Sequence, residues 1–267
     1  MEAGSNSCIY GPVNSWRLGR SLGVDVLCID SICSFACVYC QLGKINRLTT
    51  ERAVFVPTSR ILSDLRVSDW RNSDIITFSG SGEPTLALNL GETIEAIRRE
   101  TGKPIAVLTN STMLGDKAVR DEIGNADRIY CKLDAWSDDV LRRIDRPAPG
   151  ITLESIIGGI KTLRADFDGF LGIQTMILSQ PDESEVEKLV SIYRDLGPNE
   201  VELNLPLRPV PASWNIESRG NVTETHNTSR LLKTITPDQA AEMGRSISAI
   251  TGIRVITPFE RTAKTNK

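Results

Sequence analysis

Residues 28–40 read Cys28-Ile29-Asp30-Ser31-Ile32-Cys33-Ser34-Phe35-Ala36-Cys37-Val38-Tyr39-Cys40 and hold four of the chain's six cysteines. The other two, Cys8 and Cys131, stand apart. A disulfide framework spreads its cysteines more evenly, whereas crowding of this kind, in a chain read as cytoplasmic, points to metal binding or redox chemistry. Steps of four and three residues between Cys33, Cys37 and Cys40 let one tight loop aim three thiolates at a common point. Three thiolates suit an iron-sulfur cluster. Zinc is the structural competitor: its closed sites take four ligands, the only histidine is His226, and Cys28 would have to complete the set. A 4Fe-4S cluster on three cysteines leaves one iron open to a ligand from outside the protein, and that vacancy is where chemistry can occur.

The rest of the composition sets bounds on the function. With 267 residues, 40% of them hydrophobic and 24% charged, the chain is long enough for one large domain or two small ones. No stretch approaches the roughly 20 apolar residues of a membrane span. The polar start Met1-Glu2-Ala3-Gly4-Ser5-Asn6 lacks the basic and apolar regions of a signal peptide. The expected location is therefore the cytoplasm, with no membrane partner. A formal charge of -3 argues against a surface that grips nucleic acid over its whole extent, though a local basic patch is compatible with it.

Outward from the cysteine loop, apolar β-rich runs alternate with helical patterns, the sign of βα units around a parallel sheet. Strands are predicted over residues 24–28, 75–79, 105–109, 128–133, 172–177 and 201–205, with helices over 60–66, 93–100, 117–124, 153–164 and 185–196. A last helix over 237–251 opens at the cap Thr236 and ends before Gly252, and 254–257 adds a short seventh strand. A partial barrel and a doubly wound open sheet both fit this alternation; both place ligands at the carboxyl ends of their strands, where the cysteine loop falls. Gln174 and Asn204, polar residues inside apolar runs, are expected to line a cavity or to be satisfied core amides.

The segment Cys33-x-x-x-Cys37-x-Tyr39-Cys40 resembles the signature of the radical S-adenosylmethionine (SAM) superfamily, including the aromatic residue before the last cysteine. The resemblance implies an α/β fold, a partial (β/α)6 TIM-like barrel over residues 24–210, with an N-terminal extension over 1–23 and a C-terminal extension over 211–267 that packs on the barrel. It also implies that Cys33, Cys37 and Cys40 hold a 4Fe-4S cluster whose open iron takes SAM. One electron then cleaves the sulfonium to a 5'-deoxyadenosyl radical, which abstracts hydrogen from a substrate. Further along, Ser79-Gly80-Ser81-Gly82-Glu83-Pro84 resembles the family's Gly-Gly-Glu-Pro turn, which holds the cofactor's amino group. On that likeness Gly80, Gly82 and Glu83 bind cofactor, as do Tyr39, Asn110 (in Thr109-Asn110-Ser111) and Asp134 (in Lys132-Leu133-Asp134).

The flanking stretches, Tyr10-Gly11-Pro12 through Gly23 and Leu203-Asn204-Leu205-Pro206-Leu207-Arg208-Pro209-Val210-Pro211, resemble a clade grouped near the wyosine synthetases, which act on transfer RNA. Those enzymes carry three further cysteines ahead of the radical motif, and here only Cys8 and Cys28 precede it. Cys28 and Cys131 read either as small buried hydrophobes or, with Cys8, as ligands of a second cluster. Arg17, Lys132 and Arg208 are candidate substrate contacts; Arg20 shares the first stretch, His226 lies in a polar loop and the basic tail over 261–267 is a weaker candidate for phosphate. The substrate classes left open are a transfer RNA base, a protein and a small molecule. An external one-electron donor such as flavodoxin or ferredoxin is expected as a partner. Two alternatives are an activating enzyme for a glycyl-radical protein and an iron-sulfur protein for electron transfer or sensing without radical chemistry.

Overall fold

A computed structural model describes residues 7–216, 219 and 229–259. The chain opens with an antiparallel hairpin, β1 (Ile9–Ser15) and β2 (Gly19–Val24). Two short strands in the cysteine loop, β3 (Ile32–Cys33) and β4 (Arg47–Leu48), pair in parallel. Then come α1 (Thr58–Arg66), β5 (Ile75–Phe78), α2 (Leu90–Thr101), β6 (Ile105–Thr109), α3 (Lys117–Ile123) and β7 (Arg128–Lys132). These are followed by α4 (Asp138–Ile144), α5 (Leu153–Asp166), β8 (Phe170–Met176), α6 (Glu183–Leu196) and β9 (Glu200–Asn204). A two-residue ribbon, β10 (Val210–Pro211) with β11 (Ser229–Arg230), precedes α7 (Pro237–Thr251) and β12 (Val255–Ile256).

The main sheet runs β1-β2-β5-β6-β7-β8-β9-β12 and is parallel from β2 onward. Successive side chains on a strand face opposite sides, and here the two sides differ. Ile76 and Phe78, Ile105 and Val107, Ile129 and Cys131, Leu171 and Ile173, and Val201 and Leu203 join the core that the helices cover. Their alternates Ile75, Ala106 and Tyr130 form a second, smaller cluster on the inner face with Leu18, Leu108 and Phe170. That cluster is the floor of the barrel. Each fully buried Leu or Ile of the outer layer contributes about 1.5–3 kcal/mol to folding. The helix ends obey the same local rules: Thr152, Asp182 and Thr236 cap α5, α6 and α7, each in a capping box, and Gly197 and Gly252 close α6 and α7 in the left-handed conformation.

The α/β partial barrel is thus the architecture, with one displacement at its start. The first parallel strand is β2, ending at Val24, not 24–28. Residues 25–28 leave the sheet because the buried Asp25 carboxylate accepts from Leu27 N (2.9 Å), Ser81 N (3.0 Å) and Ser81 Oγ (2.6 Å), which turns the chain away from the ladder. Val26 and Leu27 are buried in the core all the same. Such a run reads as a strand by hydrophobicity alone. The hairpin partner β1 and the short helix α4 are additional to the expected elements.

Across the hairpin Tyr10 lies opposite Gly23, and its hydroxyl is 2.6 Å from Ser79 Oγ. A Cβ on Gly23 would fall 2.0 Å from the Tyr10 ring. Gly23→Ala should therefore cost about 1–3 kcal/mol in urea unfolding through overpacking, and the Tyr10→Ala, Gly23→Ala double variant should lose less than the sum of the two single changes.

Candidate active site

A cavity of about 640 Å³ opens at the carboxyl ends of the strands, and Cys33, Cys37 and Cys40 all line it. The loop that carries them is pinned on both sides. Ile32 N donates to Ser81 O (2.9 Å) and Glu83 N to Ile32 O (3.0 Å), tying β3 to the glycine turn. On the other side Ala36 N reaches Asp145 O and Val38 N reaches Ile144 O, both 2.9 Å, at the end of α4. Cys33 Sγ accepts from Phe35 N (3.4 Å) and Asn110 Nδ2 (3.5 Å). Burial, reinforced by Glu83, pushes the Cys33 thiol up to about 12, and burial raises Cys37 and Cys40 as well. Ligation by these sulfurs must therefore release protons. Among the described residues no group of three or more His, Cys, Asp or Glu side chains closes around a single metal ion. The donor set present, three thiols with N–H donors directed at one of them, suits a sulfur-rich cluster.

The glycine turn lies on the same cavity. Gly80 has φ of 141° and Gly82 φ of 150°, and a Cβ on Gly82 would stand 1.7 Å from Ile32 O. Only glycine fits there. Ser81, between them, is buried on Asp25. Glu83 is 2% exposed. Its Oε1 accepts from Thr85 N (3.1 Å), Thr85 Oγ1 (2.6 Å) and Thr109 Oγ1 (2.7 Å), and its Oε2 accepts from Asn110 N at 2.6 Å. Burial raises its pKa, and these four donors act against that rise. Asn110 in turn donates to Ser34 Oγ at 2.8 Å, so the end of β6 reaches back into the cysteine loop.

Tyr39 lines the cavity, and its hydroxyl donates to Asp134 Oδ2. Asp134 itself lies behind the cavity wall, 2% exposed, accepting from Met176 N (2.9 Å) and pairing with Lys132 Nζ at 2.9 Å. Lys132 also pairs with Asp145 and sits over the rings of Phe35 (4.8 Å) and Tyr39 (5.6 Å). Burial works against its charge, but Asp134 and Asp145 outweigh that and hold its pKa well above the usual value. Lys132 is thus engaged with two acids rather than free for a substrate anion. Gln174 and Asn204 do line the cavity, and Gln174 Nε2 donates to Glu202 Oε2 at 2.8 Å.

Arg208 lines the cavity, while Arg17 lines an adjoining one and pairs with Glu202 at 3.3 Å. Arg20 is exposed on β2, apart from both. His226 and residues 261–267 lie outside the described residues. The contributors that the sequence does not single out include Trp16 at the hairpin tip, Gln41 and Leu42 after the last cysteine, Met176 at the end of β8, and Pro258 and Phe259 after β12. The Ser15-Trp16-Arg17-Leu18-Gly19 turn was a usable signal, since Ser15 Oγ caps it by accepting from Arg17 N and Leu18 N.

The remaining cysteines separate. Cys8 and Cys28 are paired with each other, their Cα atoms 5.4 Å apart, because the hairpin register carries Cys8 alongside Asp25 and the turn at 25–28 brings Cys28 back. That corrects the expectation of unbridged thiols at these two positions. Cys131 is buried in the helix-facing core, and burial pushes its thiol up to about 12.

A family model described as the Radical SAM superfamily matches residues 29–194. UPF0026 protein slr1464 of Synechocystis sp. is 46% identical over 251 residues, covering 92% of this chain and 94% of that protein. UPF0026 protein MJ1312 of Methanocaldococcus jannaschii is 36% identical over 206 residues, 75% of this chain and 64% of that protein. Among solved structures, Streptococcus suis SuiB bound to S-adenosylmethionine superposes with a TM-score of 0.61 at 12% identity, covering 88% of this chain and 50% of SuiB. That likeness is one of fold, and this chain spans about half the length of SuiB.

Gly82→Ala tests the turn. The added methyl must displace Ile32 and with it β3, so iron retained after anaerobic reconstitution should fall by about half or more, while far-UV circular dichroism stays near that of the parent chain.

Proposed function

Because the chain belongs to the radical SAM superfamily and to the UPF0026 proteins within it, we propose that it is an enzyme in which Cys33, Cys37 and Cys40 hold the 4Fe-4S cluster and hydrogen is abstracted from a substrate in the same cavity. The observation that carries this reading is the convergence of the three thiols, the glycine turn and Glu83 on one cavity. When bound, the cluster supplies reductive cleavage of SAM.

The chain's own residues divide the remaining work. Phe35 N and Asn110 Nδ2 donate to the Cys33 sulfur, which lowers the cost of negative charge on it. Lys132 sets a cation near Cys37, flanked by the faces of Phe35 and Tyr39. Gly80 and Gly82 let the turn pack directly against Asp25 and Ile32, which sets it beside the cysteine loop on the cavity. Among the described residues Glu83 Oε2 accepts from Asn110 N alone, so it has capacity for an ammonium donor such as that of a methionyl group. Trp16, Met176 and Leu205 add apolar surface to the cavity lining. The electron comes from an external one-electron carrier of the flavodoxin or ferredoxin kind.

The finer likeness to wyosine synthetases belongs to the same proposal. Its two stretches are those that bring Trp16 and the run Leu205 to Arg208 to the cavity, so the likeness concerns the substrate's side of the site rather than the cluster's side.

Anaerobic reconstitution followed by addition of SAM and dithionite should give 5'-deoxyadenosine from the parent chain and none from Cys37→Ala, with Cys131→Ala keeping its full iron content. Cleavage by Cys37→Ala at the parent rate would remove the ligand assignment. An intact cluster that never cleaves SAM, with any substrate offered, would favour the electron-transfer reading.

A further inference from the structure

Beneath the main cavity lies a smaller one of about 240 Å³, between the inner faces of β1, β2 and β5, and the two share Gln41, Leu42, Ser79, Gly80, Leu108 and Arg208 in their walls. Its charged lining is basic: among the described residues that line it are Arg17, Arg208 and Arg219, and no carboxylate. Arg219 is neutralised by Asp25 at 2.9 Å. Arg17 shares the single carboxylate Glu202 with Gln174. Arg208 is near enough to Arg17 to feel its charge, and burial together with that like charge weighs against its protonated form. Among the described residues, two guanidinium nitrogens, Arg17 Nε and Arg208 Nη1, are buried without a hydrogen-bond partner.

Unpaired donors on buried guanidinium groups are costly unless something satisfies them. Arg17, Arg208 and Glu202 together leave one positive charge over, in a recess contiguous with the reacting cavity. We propose that Arg17 and Arg208 form the subsite for an oxyanion, a phosphate or carboxylate, at one end of the substrate, so that the substrate is a small anionic molecule whose reacting carbon extends toward Cys33, Cys37 and Cys40. An anion there supplies acceptors to both orphan donors and relieves the repulsion between the two cations, and planar guanidinium forks match its geometry. This rests on the radical reading only for what happens at the other end of the molecule. The carboxylate of SAM is the competing source of the same chemistry, and the test separates the two.

The reconstituted protein, saturated with SAM, is titrated calorimetrically with inorganic phosphate and, separately, with acetate. One of the two should bind, and its identity tells phosphate from carboxylate. Affinity should fall at least about tenfold in Arg208→Gln, as expected for loss of a charged hydrogen bond. It should recover in part in Arg208→Lys, and it should be unchanged in Arg20→Gln, which alters an exposed arginine on the same hairpin. Failure of both anions to bind, or equal binding by Arg208→Gln, overturns the subsite. A matching loss of SAM affinity in Arg208→Gln overturns it too, by assigning the pair to the cofactor. Anion binding that depends on Arg208 in a protein that does not cleave SAM would sustain the subsite while refuting the radical reading.

Discussion

A buried carboxylate has to be fully hydrogen-bonded or it destabilises the fold, and Glu83 meets that demand with donors from two different segments. Thr85 belongs to its own turn, whereas Thr109 and Asn110 belong to the end of β6. Asn110 then passes the connection to Ser34 and Cys33. The turn, the strand end and the cysteine loop are thereby held in one register. Replacing any member with an apolar group leaves a buried donor or acceptor unmatched, so the network is stiff because it is complete. This chain of bonds holds Cys33 against the glycine turn, with the end of α4 bracing the loop from the other side.

The second organising feature is the way the open side of the sheet is closed. A partial barrel leaves a gap between its first and last strands. Here the tip of the β1–β2 hairpin crosses toward β9, where Arg17 pairs with Glu202, and Pro258 and Phe259 approach from beyond β12. Leu18 joins the apolar floor with Ile75, Ala106 and Tyr130. The cluster's side of the cavity is therefore built from the barrel, and much of the substrate's side from segments flanking it. Chemistry and specificity are separable on such a plan, since loops and extensions vary without disturbing the strands.

Much of this was legible in the sequence, for physical reasons that differ by residue. The cysteine loop and the glycine turn declare themselves because thiolates at short spacing and positive-φ glycines leave few other uses for those residue types. Strands β5 and β6 are largely apolar runs buried on both faces, β7 to β9 keep apolar residues at alternate positions, and α5, α6 and α7 carry explicit caps. The start of the barrel was misread because Val24, Val26 and Leu27 are as buried as a strand would be, and only the hydrogen bonds of Asp25 reveal the turn. At a strand end, next but one to Asp134, Lys132 reads as a candidate substrate contact; its second carboxylate, Asp145 beyond α4, is a tertiary contact that no local pattern encodes. The pairing of Cys8 with Cys28 was hidden for the same reason, since it depends on the hairpin register.

The bridge from Arg17 to Glu202 also bears on how the protein is made. Among the six main-sheet strands from β2 to β9, a ribosome releases β2 first and β9 last, and domains of this size commonly pass through partly assembled states. Until β9 is added, Arg17 at the hairpin tip lacks Glu202, although Leu18 can already pack on Ile75, Ala106 and Tyr130. The cysteine loop and the segments that pin it, as far as Asp145, are therefore all released before β9, so the cluster's side of the cavity is complete in the nascent chain before the substrate's side.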